Sequence, residues 1–127
     1  MSAYEYRCAV SGFAAEGVRP GRITKLLEAA HVRPVALQGP DEVSNGLALT
    51  PTLHTLFDEG LFTLAYDGGT LRVQTSPRLV DAMIKSPDGS FAMPLRSGLA
   101  VRIPDNPSMA PHRDALRYHE RHIYRAS

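Results

Sequence analysis

The amino-acid sequence predicts an α+β fold, and three features of the chain point to that class. Residues 27–59 have the order strand, long loop, strand and short helix. Residues 62–75 alternate apolar and polar side chains around Asp67-Gly68-Gly69, which is a strong signal for a β-hairpin. Residues 111–125 contain no proline beyond the first position and favour a closing helix. Because the 127 residues have an ordinary globular composition, residues 1–127 are expected to form one domain.

The elements before the short helix are predicted from propensity and from structure-breaking residues. Tyr4–Val10 is predicted to be a short strand that ends at a Ser-Gly pair. Residues 23–32 have high helix propensity, but Pro34 keeps the preceding residue out of helical angles, so this segment is expected to end extended. Residues 34–46 carry Pro, Gly, Asp and Asn and are expected to form a long loop. A short strand is then predicted at Leu47–Leu49.

The short helix has clear start and stop signals. Thr50 is placed to be its N-cap, and Pro51 suits the first helical position. Gly60 follows the expected end of the helix at Glu59. The remaining predicted elements are two hairpin strands, a helix and a short strand, at Phe62–Tyr66, Leu71–Thr75, Pro77 to about Ile84, and Leu99–Ile103.

Composition excludes several classes of protein. The sequence has no run of 18 apolar residues, which argues against a membrane span, and its first residues lack a secretory pattern. Cys8 is the only cysteine, so neither an intrachain disulfide nor a four-cysteine zinc site can form. A cytoplasmic location is therefore expected. The formal net charge of +1 neither requires nor excludes a nucleic-acid partner.

Four polar residues stand out within residues 27–59. His31 ends the first strand of this unit, where an imidazole can reach water and act as a general base. His54 and Asp58 are four residues apart on the short helix and share one face, which suits a divalent cation. Asn45 precedes the second strand, and its amide can both donate and accept hydrogen bonds. The alternative is that His31 is a packed or surface histidine and that the helix pair is an exposed polar face.

The same residues resemble the HNH endonuclease motif, in the branch found at the C-terminus of many bacterial restriction-type nucleases. The segments that carry the resemblance read LEAAHVRP at 27–34, SNGLAL at 44–49 and HTLFDEG at 54–60. The resemblance extends from YRCAVSG at 6–12 through the hairpin to LRYHER at 116–121, and so covers nearly the whole chain. It implies a ββα-metal core over residues 27–60, with an added β-hairpin and a basic C-terminal helix over about 111–125.

The resemblance also implies a role for each site residue. His31 would be the general base that activates water for attack on a DNA phosphodiester. Asn45 would hold the loop and the orientation of His31. His54 would bind one divalent cation, with Mg²⁺ or Mn²⁺ expected and Ni²⁺ or Zn²⁺ as alternatives, and Asp58 is added as a ligand by its spacing. The expected enzyme is a metal-dependent endonuclease of restriction type.

Two features depart from the family pattern. Ala30 stands where many HNH enzymes carry an Asp or His that binds the metal, directly before the base. Many relatives also hold a structural zinc with two Cys-x-x-Cys pairs, but the matching places here read CAVS at 8–11 and TPTL at 50–53. Three of the four thiols are missing, so no structural zinc is expected. Apolar packing is expected to hold the short helix instead, through Leu53, Leu56, Phe57 and Leu61.

Basic side chains indicate where DNA would bind. Arg33 lies two residues past His31 and is the best local candidate for a phosphate contact. The last helix carries a stripe of arginines four residues apart and three histidines as further donors, at Arg113, Arg117, Arg121 and Arg125 and at His112, His119 and His122. The alternative is a solvated face in which Arg117 pairs with Asp114 or Glu120. No recognition helix is evident, so contacts are expected mainly to the sugar-phosphate backbone.

The sequence leaves two functions of different class open. A metal-dependent nuclease would cleave DNA, whereas a non-catalytic nucleic-acid-binding module on a decayed HNH fold would bind DNA and leave it intact. Ala30 and the missing thiols favour the module, while the three motif residues together favour the enzyme. A globular domain with incidental histidines is a third alternative. Target choice is expected to come from a separate domain or a partner protein, and because one site cuts one strand, a homodimer is a further hypothesis.

Overall fold

The computed structural model describes residues 4–14, 26–33, 45–86 and 95–127. Within these residues the chain forms two antiparallel β-hairpins and three α-helices. The elements are β1 (Glu28–His31), β2 (Gly46–Leu49), α1 (Pro51–Asp58), β3 (Phe62–Asp67), β4 (Thr70–Thr75), α2 (Pro77–Lys85) and α3 (Arg113–His122). The α+β class, the ββα unit, the added hairpin and the C-terminal helix are therefore confirmed. Most of the long loop predicted over 34–46 lies outside the described residues.

The ββα unit is formed by β1, β2 and α1. The two strands pair so that Glu28 lies opposite Leu49 and His31 lies opposite Gly46. Thr50 is the N-cap of α1, as predicted, although its side chain makes no capping hydrogen bond. The apolar face of α1 packs on both strands through buried leucines and a phenylalanine, and Leu61 is partly buried against the same core. The apolar packing expected to hold this helix is confirmed.

The end of α1 is fastened to the C-terminal tail. Gly60 has φ +74°, a conformation that favours glycine, and a Cβ at this position would overlap the carbonyl of Ile123. The backbone N–H of Arg125 donates to the Gly60 carbonyl at 2.9 Å, and its Nε donates to the Glu59 carbonyl at 2.9 Å. Arg125 therefore does not continue the predicted arginine stripe, because α3 ends at His122 and the chain turns back onto α1.

The second hairpin follows its sequence signal closely. Phe62 lies opposite Thr75 and Asp67 opposite Thr70, with Gly68 at φ +63° in the turn. Its inward side chains are buried and α3 packs on β3, so this hairpin joins the C-terminal helix to the core. No helix among the described residues has the length and apolar character needed to cross a membrane.

The strand predicted over Tyr4–Val10 is wrong. Glu5 and Tyr6 have φ of 54° and 55°, which interrupts an extended chain, and the segment folds into turns. One isolated bridge, between Arg7 and Ala14, is its only β pairing among the described residues.

The strand predicted over Leu99–Ile103 is also wrong. It reduces to one isolated bridge, between Ala100 and Arg72. The backbone N–H of Val101 donates to the Leu71 carbonyl of β4 at 2.8 Å, and the N–H of Arg102, on the other side of the segment, donates to the Ala9 carbonyl at 2.8 Å.

Candidate active site

Asn45 bonds the two residues that follow β1. Its side chain is 1% exposed. Oδ1 accepts a hydrogen bond from the Arg33 N–H at 2.9 Å, and Nδ2 donates to the Arg33 carbonyl at 2.8 Å. The Asn45 carbonyl accepts a further bond from the Val32 N–H at 2.8 Å. The two residues that follow His31 are thereby fixed, which fits the loop-holding role inferred for Asn45.

His31 is turned away from the core by the alternation of β1. It is the last residue of the strand and half-buried, whereas Ala30 on the opposite face is fully buried. Gly46 lies directly across from His31 and has no side chain to cover the ring. The imidazole of His31 therefore lies at the end of the strand, the position at which the sequence analysis predicts a general base.

His54 projects from α1 between two carboxylates. Its Nδ1 lies 2.8 Å from Oε1 of Glu28, and its Nε2 lies 3.1 Å from Oδ2 of Asp58. The side chain of His54 is 25% exposed, so the ring is partly shielded from water. Because each ring nitrogen faces a carboxylate oxygen, the orientation of the ring is set from both sides. The predicted pairing of His54 with Asp58 is present in the structure.

The electrostatics of Asp58 link the two histidines. Burial is the largest influence on the pKa of Asp58 and raises it above its ordinary value, because burial disfavours the charged form. The charge of His54 acts to lower this pKa, Glu59 raises it, His31 lowers it and Glu28 raises it. His31 therefore lies within electrostatic reach of Asp58.

The donor atoms on α1 suit a divalent cation. Neighbouring ligands of an octahedral cation with bonds of about 2.1 Å lie about 3 Å apart, which matches the 3.1 Å between His54 Nε2 and Asp58 Oδ2. Imidazole and carboxylate are ligand types that first-row divalent metals accept. In the described part of the chain, no three His, Cys, Asp or Glu side chains are arranged as a complete cation site. His54 and Asp58 would therefore supply two ligands to such a cation, and water or a phosphate oxygen would supply the others.

Glu28 is a site residue that the sequence analysis missed. Its contact with Nδ1 would keep the proton on that nitrogen and leave Nε2, beside Asp58, as the ligand atom. The signal was present in the sequence, because side chains two residues apart on a strand share a face. Glu28 precedes Ala30 by two residues and so faces α1 from the same side as the position where a metal ligand was expected.

His119 is buried against α1. The expectation that it donates hydrogen bonds to DNA is therefore wrong. The side chain is 1% exposed and stacks on Phe57, with the ring centroids 3.8 Å apart. Its Nε2 lies 2.8 Å from the Phe57 carbonyl and its Nδ1 lies 2.8 Å from Oγ1 of Thr63. A carbonyl only accepts, so Nε2–H donates and Nδ1 accepts from the Thr63 hydroxyl. Burial lowers the pKa of His119 to about 4, against the opposing effect of the Phe57 hydrogen bond.

Arg33 is brought against the C-terminal helix. Its Cζ lies 4.4 Å from the centroid of the Tyr118 ring, so the segment after β1 meets α3. The Tyr118 ring in turn contacts His122, with the centroids 4.6 Å apart. Arg33, one predicted phosphate contact, therefore lies against the helix that carries the other predicted phosphate contacts.

The arginines of α3 are not equivalent. Arg113 lies over the Tyr66 ring at 4.5 Å and donates to the Gly68 carbonyl at 3.3 Å, so it leans towards the second hairpin. Arg117 lies 3.6 Å from Asp114, which is the ion pair anticipated in the alternative interpretation of the stripe. Arg121 is exposed. The three arginines therefore do not converge on one point.

Comparison with known proteins agrees with this geometry. The model of the HNH endonuclease family matches residues 8–65, which include β1, β2, α1 and most of β3. Residues 8–65, which this model matches, are called the HNH module below. The match confirms the resemblance and the class of enzyme that it implies, and members of the HNH family generally use a divalent metal ion. No curated protein matches the chain.

A solved structure shares the fold of the HNH module and of the segments that follow it. It is a modification-dependent TagI restriction endonuclease, to which this chain is 23% identical with a TM-score of 0.65. The likeness covers 96% of this chain and 35% of that chain, so this chain spans about a third of the length of that protein. The likeness shows that the added hairpin and the C-terminal helix belong to a fold that this restriction endonuclease shares.

Proposed function

We propose that the HNH module is a metal-dependent DNA endonuclease, in which His31 is the general base and His54 and Asp58 hold one divalent cation. One observation carries the proposal. Asn45 fixes the chain directly after His31, while α1 presents an imidazole and a carboxylate within electrostatic reach of His31. One base beside one cation site is sufficient for hydrolysis of a phosphodiester.

Each side chain has a distinct task in this mechanism. His31 accepts the proton of the attacking water. Asn45 keeps His31 in place through its bonds to the following residues, and Glu28 orients the ring of His54. When bound, the cation supplies positive charge that stabilises the scissile phosphate and the leaving oxygen. Mg²⁺ or Mn²⁺ is the proposed ion, with Ni²⁺ or Zn²⁺ as alternatives.

DNA phosphates are proposed to contact Arg33 beside the site and the arginines of α3. Arg113, Arg117 and Arg121 are all solvent-exposed on α3, while the opposite face of that helix is buried against the core. Contacts of this kind hold the duplex without reading its sequence. The buried, free thiol of Cys8 is compatible with the cytoplasmic location that we propose.

Target choice is proposed to lie outside this module. The structural neighbour is named as a modification-dependent restriction endonuclease and is about three times as long as the shared region. By analogy, we propose a restriction-type role for this chain, in which a separate domain or partner protein selects the DNA. Cutting both strands would require two sites, which a homodimer would supply. Light scattering tests this, since a monomer that makes only nicks would contradict the dimer.

A supercoiled-plasmid assay tests the proposed activity. The wild type is incubated with Mg²⁺, Mn²⁺, Ni²⁺ or EDTA beside His31→Ala and His54→Ala, and circular dichroism checks that each variant is folded. We expect cation-dependent nicking by the wild type and loss of nicking in both variants. Nicking by a folded His31→Ala protein would contradict the assigned base. Retardation of DNA without cleavage under any cation would favour the binding module instead.

A further inference from the structure

We propose that Tyr118 is a positioning residue that holds Arg33 for contact with a phosphate next to the one that is cut, an inference that rests on the nuclease function proposed above. The Arg33 guanidinium lies over the Tyr118 ring, with Cζ 4.4 Å from the centroid. Arg33 follows His31 by two residues, which span at most about 7 Å of chain. A phosphate held by Arg33 is therefore a near neighbour of the phosphate attacked at His31.

Arg33 is held at both ends. Its backbone N–H and carbonyl both bond the buried Asn45 amide, at 2.9 and 2.8 Å, and its guanidinium rests on Tyr118. Tyr118 is itself supported, because its ring contacts His122 and its helix is anchored by a buried apolar face. A long side chain that is already ordered loses less conformational freedom when it binds. Tyr118 thus prepares Arg33 for its ligand.

The form of the contact favours a phosphate ligand. A guanidinium carries its five N–H donors in its own plane, and an aromatic ring contacts it through its face. Stacking on Tyr118 therefore does not compete with an oxyanion bound in that plane. Arg33, held by Tyr118, is accordingly assigned as a phosphate contact beside the proposed catalytic site.

DNA binding by the full chain tests the assignment. Fluorescence anisotropy of a labelled duplex is measured in EDTA over a range of salt concentrations, for Tyr118→Leu, Tyr118→Phe, Arg33→Ala and the double variant. Loss of the ring is expected to weaken binding about 3- to 20-fold, as loss of a partly desolvated cation–π contact does. The salt dependence should fall by about one phosphate contact in Tyr118→Leu and in Arg33→Ala. Tyr118→Phe should bind as the wild type does, and the double variant no more weakly than Arg33→Ala.

Other outcomes overturn the assignment. The assignment fails if the losses of DNA affinity add in the double variant, or if Tyr118→Phe and Tyr118→Leu lose equal affinity. It also fails if the wild type binds no duplex. Circular dichroism shows whether Tyr118→Leu is folded. If it is not, Tyr118→Met takes its place as the variant without an aromatic ring.

Cleavage kinetics supply a second readout that a merely structural role would not give. With Mg²⁺, Tyr118→Leu should raise KM while kcat stays within about twofold of the wild type. A fall in kcat at unchanged KM overturns the assignment. If the binding results hold but neither the wild type nor any variant cleaves DNA, the proposed nuclease function fails and the role of Tyr118 in DNA binding stands.

Discussion

Acidification from pH 7 to pH 4 is expected to destabilise the folded protein through His119. The ring is buried, donates to the Phe57 carbonyl and accepts from Thr63, and this pair of bonds requires the neutral imidazole. Burial lowers the pKa of His119 in the folded state to about 4, from an ordinary value of 6.5. Between these two pKa values, His119 is therefore protonated in the unfolded chain and neutral in the folded chain. The stabilisation is complete above pH 6.5 and is lost as the pH falls towards 4.

The magnitude follows from these two pKa values. A group with these values lowers the free energy of unfolding by about 2 kcal/mol at pH 5 and about 3 kcal/mol at pH 4. A loss of that size is a large share of the stability of a small domain. His119 bonds the carbonyl of Phe57, directly before Asp58, so the position of the proposed cation ligands on α1 depends on the same contact.

Urea denaturation at a series of pH values measures this loss, with His119→Gln as the matched control. The Gln side chain can donate to the Phe57 carbonyl but does not titrate, and all carboxylates are common to both proteins. The wild type should lose about 2 to 3 kcal/mol more than His119→Gln between pH 7 and pH 4. Parallel pH dependences for the two proteins would refute the reasoning.

Three further changes test other contacts. Glu28→Ala should raise the Mn²⁺ concentration needed for half-maximal cleavage about tenfold or more, and Glu28→Gln should raise it less, because the amide oxygen still accepts from the His54 ring. Asn45→Ala should lower the free energy of unfolding by about 1 to 3 kcal/mol in urea, since it leaves the polar groups of Arg33 without these partners; an unchanged value would contradict the loop-holding role. Gly60→Ala should lower the melting temperature more than Gly12→Ala, because both glycines have φ +74° and only Gly60 meets the C-terminal tail; equal losses would show that the overlap is unimportant.

Local signals predicted most of the fold. The Thr50-Pro51 start, the Gly60 stop and the Asp67-Gly68-Gly69 turn each depend on the conformational preferences of a few adjacent residues, and the structure follows all three. Tyr4–Val10 failed because no composition rule marks positive φ at a glutamate and a tyrosine. Leu99–Ile103 failed because its pairing with β4 is limited to one bridge at Ala100, which is too short to form a strand.

The sequence predicted the placement of the candidate site residues on strands and helix only where they lie on one continuous motif. The spacing within the motif placed His31, Asn45 and His54 correctly on β1, before β2 and on α1. Contacts between distant segments were not readable from the sequence. His119 lies 62 residues from Phe57, whose carbonyl it bonds, and nothing in the spacing along α3 distinguishes this buried histidine from an exposed one.

The division of labour between the two motif histidines is most directly tested by a Mn²⁺ titration of plasmid cleavage. The plateau rate reports the base, and the half-saturating concentration reports the cation ligands. His31→Ala is expected to be inactive at every Mn²⁺ concentration. His54→Ala is expected to need about tenfold or more Mn²⁺ for any activity that it retains. A His31→Ala protein that reaches the wild-type plateau, or a His54→Ala protein that saturates at the wild-type concentration, would contradict the account.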